Sequence, residues 1–350
     1  MEKLKFVIKS SETVESSLNK LGKQGVSKPI LFVTDESGSI LGTLTDGDVR
    51  RGLLNGGQLS DPVFSLARKE FKYFRSLDEL NEETFKELKS QGVNLVPLIN
   101  QKGELEKIVD LNAKRAMLPL EAIVMAGGLG TRLKPLTDNT PKPLLEIDGK
   151  PIIQYNLERL SLYGINKVNI TLRYLGDQII ETIGDGESLG IDIEYVKESE
   201  PLGTIGAVGL IQNLKNDAVI LMNSDLLTNI DFEDFYKEFI EKNADMAVAV
   251  IPFEVNIPYA VLETNEDKLV ESFVEKPTYT YYSNAGIYLI KKELLKLIPA
   301  NTKFDATNFM DELIKCDKNI VVFPIRGYWL DIGKHNDFEK AKKDVAHINW

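Results

Sequence analysis

Chemistry in this 350-residue chain concentrates in a few short runs. Ala126-Gly127-Gly128-Leu129-Gly130-Thr131-Arg132 follows the apolar run Leu120–Met125 directly. Glycines at that position let backbone N–H groups come close to phosphate oxygens. Arg132 adds a bidentate donor suited to phosphate. A second cation follows in Pro141-Lys142-Pro143. Asn223-Ser224-Asp225 closes another apolar run, Val219–Met222. A lone carboxylate at a strand end fits Mg2+, which takes few protein carboxylates and completes its shell with phosphate oxygens and water. Trp329-Leu330-Asp331-Ile332-Gly333 holds a further isolated carboxylate. Read alone, either aspartate would more often be a cap or turn residue. Other phosphate loops fit less well. A Walker loop needs Gly-Lys before Ser or Thr. A dinucleotide fingerprint needs a third glycine where Leu133 stands, and a smooth helix where Pro135 intervenes.

From Leu118 onward, apolar strands at 120–126, 168–172, 219–222 and 246–251 alternate with helical stretches at 152–163, 177–183, 205–213 and 232–242. Such alternation predicts an α/β fold, a Rossmann-like mixed sheet of mainly parallel strands with its ligands at the strands' carboxyl ends. The strands near 261–275 and 282–290 lack intervening helices and predict an antiparallel extension. The first 117 residues read differently. Pro29–Thr45 and Asn94–Asp110 are copies of one strand–glycine turn–strand unit. Each follows an amphipathic helix, 12–23 and 77–90, and each predicts a short helix after it, near Asp46 and Leu111. The expected divisions are 1–60, 61–117 and 118–350.

The glycine loop with Arg132 and the Pro141-Lys142-Pro143 element resembles the sugar-1-phosphate nucleotidylyltransferases, over about Leu120 to Lys343. The resemblance implies that Ala126, Gly127, Gly128, Gly130 and Thr131 wrap a nucleoside triphosphate. Arg132 and Lys142 would act on phosphates, with Asp225 and Asp331 as Mg2+ ligands. Lys142 and Lys276 would contact the sugar phosphate, and Glu275, Asn284 and Gly286 the sugar. Glu198, Pro201, Gly203 and Thr204 would line the base site. A carboxylate only accepts hydrogen bonds, and guanine offers two adjacent donors, so Glu198 favours GTP. Glu200 or backbone groups are the alternative selectors. The sugar expected is a hexose or aminohexose, with glucosamine or mannose foremost.

The N-terminal repeat resembles a tandem α+β pair of CBS domains, a module that commonly binds adenine nucleotides. Thr45-Asp46-Gly47-Asp48 carries that resemblance, implying Thr45 at phosphate and Asp48 at ribose. The second copy has Asp110 and Ala113 there, so one intact site is expected at most. Such pairs associate, which suggests a homodimer. The combination resembles guanylyltransferases that feed bacterial surface sugars, including nonulosonic acids. The competing reading is a nucleotide-sensing protein with an inactive transferase domain.

Bulk composition narrows the classes. A net charge of −11 argues against a nucleic-acid partner. No apolar run reaches the roughly 20 residues of a membrane helix. The residues 1–10 lack a signal-peptide core, and a lone cysteine, Cys316, fits a reducing cytoplasm. Two histidines leave little scope for a His-rich zinc site.

Overall fold

The computed structural model describes residues 3–24 and 29–350. The chain divides at Met117/Leu118 into two compact units.

In the N-terminal unit, strand β1 (Val7–Lys9) leads to helix α1 (Val14–Gly22), whose start is fixed by Thr13 accepting from the Ser16 N–H. The hairpin β2 (Ile30–Thr34) and β3 (Ile40–Thr45) runs into α2 (Asp46–Leu54). Helix α3 (Glu82–Ser90) precedes the second hairpin, β4 (Leu95–Ile99) and β5 (Leu105–Asp110). Phe32 and Phe6 pack with Leu95, Leu105 and Ile108 in one cluster, so the two hairpins bury each other's faces. The turns also pair: Ile40 N–H donates to Gly103 O and Leu105 N–H to Gly38 O, each at 3.1 Å.

The helix expected after β5 does not form. Asp110 instead accepts from the Asn112 N–H at 2.9 Å, closing a tight turn. Pro119 disfavours a helical Leu118, and Met117 must still reach the core beside Phe85 and Val96.

The C-terminal unit is built on a sheet of seven strands. In chain order they are β6 (Leu120–Ala126), β9 (Lys167–Leu172), β10 (Asp192–Lys197), β11 (Ala218–Asn223), β13 (Met246–Asn256), β16 (Thr278–Lys291) and β17 (Ile320–Pro324). Smaller pairs are β7 (Glu146–Ile147) with β8 (Lys150–Pro151), β12 (Leu226–Thr228) with β18 (Trp329–Asp331), and β14 (Val261–Thr264) with β15 (Val270–Val274). The helices are α4 (Ile152–Leu162), α5 (Gly176–Ile183), α6 (Phe232–Glu241), α7 (Ala306–Lys315) and α8 (His335–Asp344).

Spatial order in the large sheet is β10-β9-β6-β11-β16-β13-β17. All neighbours are parallel except those of β16, which runs antiparallel to β11 and β13. The sheet is therefore mixed and mainly parallel. β16 lies inside it, whereas an extension beyond it was expected. Its residues Ala285–Ile290 are buried, so they must lie between two strands. Of the two stretches expected to extend the sheet, the one near 261–275 forms the separate hairpin β14–β15.

The predicted helix over 205–213 is a short 3-10 turn, Gly206–Leu210. A Cβ on Gly206 would stand 2.6 Å from Thr302 O, and one on Gly209 3.2 Å from Ile298 O. Both glycines serve a close backbone approach, and glycine is a poor helix former. Among the described residues no helix is long and apolar enough to cross a membrane.

Candidate active site

The site forms where the parallel strands end. β6 delivers Ala126 and then the glycine loop; Gly130 adopts φ +62° and its carbonyl accepts from Thr137 Oγ1 at 2.9 Å. Thr131–Leu133 then make one 3-10 turn, with Thr131 and Arg132 exposed and Leu133 buried. β11 ends in Asn223, and Ser224 N–H donates to Met125 O at 3.1 Å, which holds Asp225 next to the end of β6. Buried Asn156 of α4 donates to the carbonyls of Leu226 (2.9 Å) and Ser224 (3.4 Å), fixing the backbone on both sides of Asp225. β12 pairs with β18 so that Leu226 faces Asp331, and Ile332 N–H donates to Asp225 O at 3.1 Å. Two aspartates 106 positions apart in the sequence are thereby brought side by side.

Lys142 completes the group. It opens a buried 3-10 turn, Lys142–Leu144, that packs next to α4. Its ammonium pairs with Asp225 and lies 3.7 Å from Asp331 Oδ1. One oxygen of each aspartate, Oδ1, is buried without a hydrogen-bond partner. Burial, and then the charge of Asp225, push the Asp331 carboxyl above its usual range, against the pull of Lys142 and Arg132. Arg132 lies against Gly333, whose added Cβ would be 3.2 Å from Nη2. Orphaned acceptor oxygens on two adjacent carboxylates are the donor set a hard divalent cation takes, so these residues fit Mg2+. Among the described residues no three His, Cys, Asp or Glu cluster as a metal cage.

A cavity of about 310 Å³ adjoins this group, lined by Gly127, Gly128, Lys142, Glu198, Pro201, Gly203, Thr204 and Asp225. Glu198 faces the glycine loop, since a Cβ on Gly127 would fall 2.5 Å from its Oε1. Burial raises the pKa of Glu198, opposed by the Leu202 N–H bond and by Arg173. The Thr204 hydroxyl is engaged elsewhere: it accepts from Ala306 N–H at 2.8 Å, while Thr204 N–H donates to Asp305 Oδ1 at 2.8 Å. Thr204 thus clamps its loop to the start of α7 while lining the cavity.

Sugar-side residues are less gathered. Asn284 donates to Tyr288 Oη and accepts from Gly286 N–H, each at 2.9 Å. Gly286 packs on Asn223, and Ala285 O accepts from Trp329 Nε1 at 2.9 Å, so this segment borders β18 and the Asp331 side of the site. Glu275 and Lys276 do not line the cavity; they are exposed on the connection from β15 to β16. Sequence reading missed Thr171, Arg173, Asn223 and Lys303, which do line it. Thr171 and Arg173 sit at the carboxyl end of β9, and the strand-end rule was the signal that pointed to them.

The comparisons with known proteins follow this geometry. Residues 121–348 match the family described as Nucleotidyl transferase. The chain belongs to that family. The transferase unit is 31% identical over 232 residues to a mannose-1-phosphate guanylyltransferase of Mycobacterium tuberculosis, a match covering 65% of each chain. The chain therefore spans just under two thirds of the length of that relative. It is 30% identical over 230 residues to a D-glycero-alpha-D-manno-heptose 1-phosphate guanylyltransferase of Aneurinibacillus thermoaerophilus, covering 65% of this chain and 99% of the relative. Among solved structures it is similar to HddC from Yersinia pseudotuberculosis, with a TM-score of 0.51 and 29% identity over 64% of this chain and 99% of that one.

The N-terminal unit holds a cavity of about 880 Å³ lined by Thr45, Asp48, Arg68, Lys72, Phe71 and Asn94 among others. Its two expected ligand contacts are occupied by each other. Asp48 Oδ2 accepts from Thr45 N–H (2.9 Å) and Thr45 Oγ1 (2.5 Å), a capping box at the start of α2. Asp48 Oδ1 accepts from Arg51 (2.6 Å) and Arg68 (2.7 Å). The carboxylate is a buried helix-start anchor in this arrangement. The cations Arg68, paired with Asp48, and Lys72 line this cavity together with the carboxylates Asp46, Asp48 and Glu70.

Proposed function

We propose that the C-terminal unit is a sugar-1-phosphate guanylyltransferase: it transfers a guanylyl group from GTP to a hexose or aminohexose 1-phosphate, with mannose or glucosamine foremost. The observation that carries the reading is one cavity holding Gly127, Gly128, Glu198, Lys142 and Asp225 together, with Asp331 beside them. The family match and the guanylyltransferase relatives support it.

A sugar-phosphate oxygen attacks the α-phosphorus in line, the bond to the β-phosphate oxygen breaks, and pyrophosphate leaves. The nucleophile is an anion at neutral pH, so no general base is needed. The obstacle is repulsion between two anions, and catalysis is positioning plus charge neutralisation. Backbone N–H groups of the 127–131 loop hold the triphosphate. Arg132 neutralises the leaving pyrophosphate, and Lys142 the reacting phosphates. Asp225 and Asp331 would hold Mg2+, which supplies Lewis-acid polarisation of the phosphates. Lys142 is the internal counter-ion of these carboxylates and would be available to phosphate if they held Mg2+. Lys276 and Glu275 act, on this reading, on the sugar side only.

For the base, Glu198 accepts from guanine N1–H and N2–H2, and Arg173 on the same cavity wall donates to O6. Uracil and thymine present two acceptors around one donor and leave the carboxylate facing an acceptor. Nucleotide competition tests this: GTP should displace a bound fluorescent GTP analogue far better than UTP or dTTP. Tight UTP or dTTP use without GTP turnover overturns it.

We also propose that the N-terminal cavity takes an anionic effector, an adenine nucleotide on the CBS resemblance. Arg68 and Lys72 beside Phe71 supply cations and a stacking face. Titrating AMP and ATP against activity in the wild type and in Lys72→Glu tests it; identical, unresponsive activity in both ends the idea.

A further inference from the structure

A second cavity of the C-terminal unit lies at the opposite end of the sheet. β6, β9 and β10 are neighbours, and near their amino ends, with the 212–215 segment, they line a space of about 530 Å³. The active cavity lies at the carboxyl ends of β6 and β9. On β9, Lys167 and Asn169 line the lower space and Thr171 the upper one. Side chains alternate along a strand, so all three share one face of the sheet. On β6, Glu121 and Met125 divide in the same way. Ile123 between them is buried in one cluster with Ile205 and Val208, which separates the two spaces.

The lower cavity has a buried polar floor. Glu121 is 2% exposed and Asn169 7%. Glu121 Oε1 accepts from the N–H groups of Lys215 at 2.8 Å and Asn216 at 3.0 Å, which ties the 212–215 segment to β6. Asn169 Oδ1 is buried without a hydrogen-bond partner. Its register neighbours cannot supply one, since Ile123 on β6 has no polar side chain and Glu194 on β10 only accepts. An orphaned amide oxygen inside a fold costs stability unless a donor from outside meets it.

The lining selects the chemistry of that donor. Glu121, Asp192 and Glu194 repel an anion, whether a nucleotide or free phosphate. Lys167 and Lys215 oppose a polyamine. Among the described residues no three acidic, His or Cys side chains cluster to hold a metal ion, and none of those lining this space is aromatic, so no base can stack there. Hydroxyl groups both donate and accept. A polyol therefore pairs with carboxylates, lysines and the Asn169 amide alike, whichever way that amide is turned. Val168 and Leu214 give its carbon skeleton an apolar contact.

We propose that this cavity is a second binding site, separate from the transferase site, for an uncharged polyol of sugar size. The test titrates phosphate-free probes (mannose, glucose, N-acetylglucosamine and myo-inositol) against the full-length chain by saturation-transfer NMR. Wild type is compared with Asn169→Leu and Glu194→Lys, with circular dichroism to check folding. Glu194 is exposed, so its variant decides the matter if Asn169→Leu does not fold. The expected result is saturable binding of at least one probe, weakened at least about tenfold in each folded variant, the scale of one lost hydrogen bond to a buried or charged group. Binding of no probe overturns the proposal. Binding that weakens less than that in either folded variant overturns it too, and assigns the probe to another surface. Displacement of the bound probe by inorganic phosphate overturns the assignment to an uncharged ligand.

Discussion

Lys142 and Asp225, 83 positions apart, form an ion pair whose side chains retain only 10% and 23% exposure. The pair sets the electrostatics of the site before substrate arrives. Asp225→Asn keeps the shape and removes the charge, leaving Lys142 with Asp331 alone. Turnover should fall at least about 10²-fold, the scale seen when one charge-stabilising group is removed from an active site. Steady-state pyrophosphate release measures it; near-normal turnover contradicts the assignment.

Asp331 carries a testable trade between stability and function. Burial and the neighbouring Asp225 raise its pKa in the folded chain above the ordinary value of 3.8. A carboxyl raised on folding makes the folded state lose stability as pH rises through that window, so at neutral pH its charge is destabilising. Asp331→Asn should therefore keep or raise Tm, while the Mg2+ concentration needed for half-maximal activity rises steeply. Thermal melts with Mg2+ titration check both; a marked fall in Tm refutes the electrostatic account.

Asp48 has the opposite sign. Burial alone raises its carboxyl, but the bonds from Thr45, Arg68 and Arg51 prevail and hold it below the usual range. Stability from a depressed carboxyl is present above its unfolded pKa and lost as pH falls through the folded one. Asp48→Asn should destabilise the N-terminal unit by about 1–3 kcal/mol at neutral pH, because the charge-assisted bonds from Arg51 and Arg68 are weakened. Urea unfolding should show the gap between wild type and variant closing as pH falls below the ordinary carboxylate range. A gap that does not depend on pH rules out the charge as its source.

Glu198→Gln exchanges an acceptor-only group for one with a donor, at a position facing Gly127. The GTP preference over UTP, as a ratio of kcat/KM, should drop about 10- to 100-fold, the usual worth of a bidentate base contact. An unchanged ratio moves base selection to Arg173 or the backbone.

The strands and the glycine loop were legible because apolar runs ending in glycine or aspartate are local signals. β6, β9, β11 and α6 fall where alternation places them. What escaped depends on contacts distant in sequence. The place of β16 inside the sheet goes with burial of 285–290 on both sides; the continuous apolar run Ala285–Ile290 is compatible with that burial but does not name the strands that flank it. The 205–213 stretch looks helical until Gly206 and Gly209 meet the 298–302 backbone. The sequence places Thr204 at the cavity, but not the bond by which its hydroxyl holds the start of α7. Lys142 read as a phosphate group, and nothing in Pro-Lys-Pro announces its pairing with an aspartate 83 residues later. Arg173 was passed over since it carries no motif, although its strand-end position marked it.

Pyrophosphate release from a matrix of nucleoside triphosphates and sugar 1-phosphates, with Mg2+ and with chelator, tests the central claim most directly. The account predicts release with GTP and at least one hexose or aminohexose 1-phosphate, abolished by chelation and by Asp225→Asn. No release from any pair, with the folded wild-type chain and Mg2+ present, contradicts it.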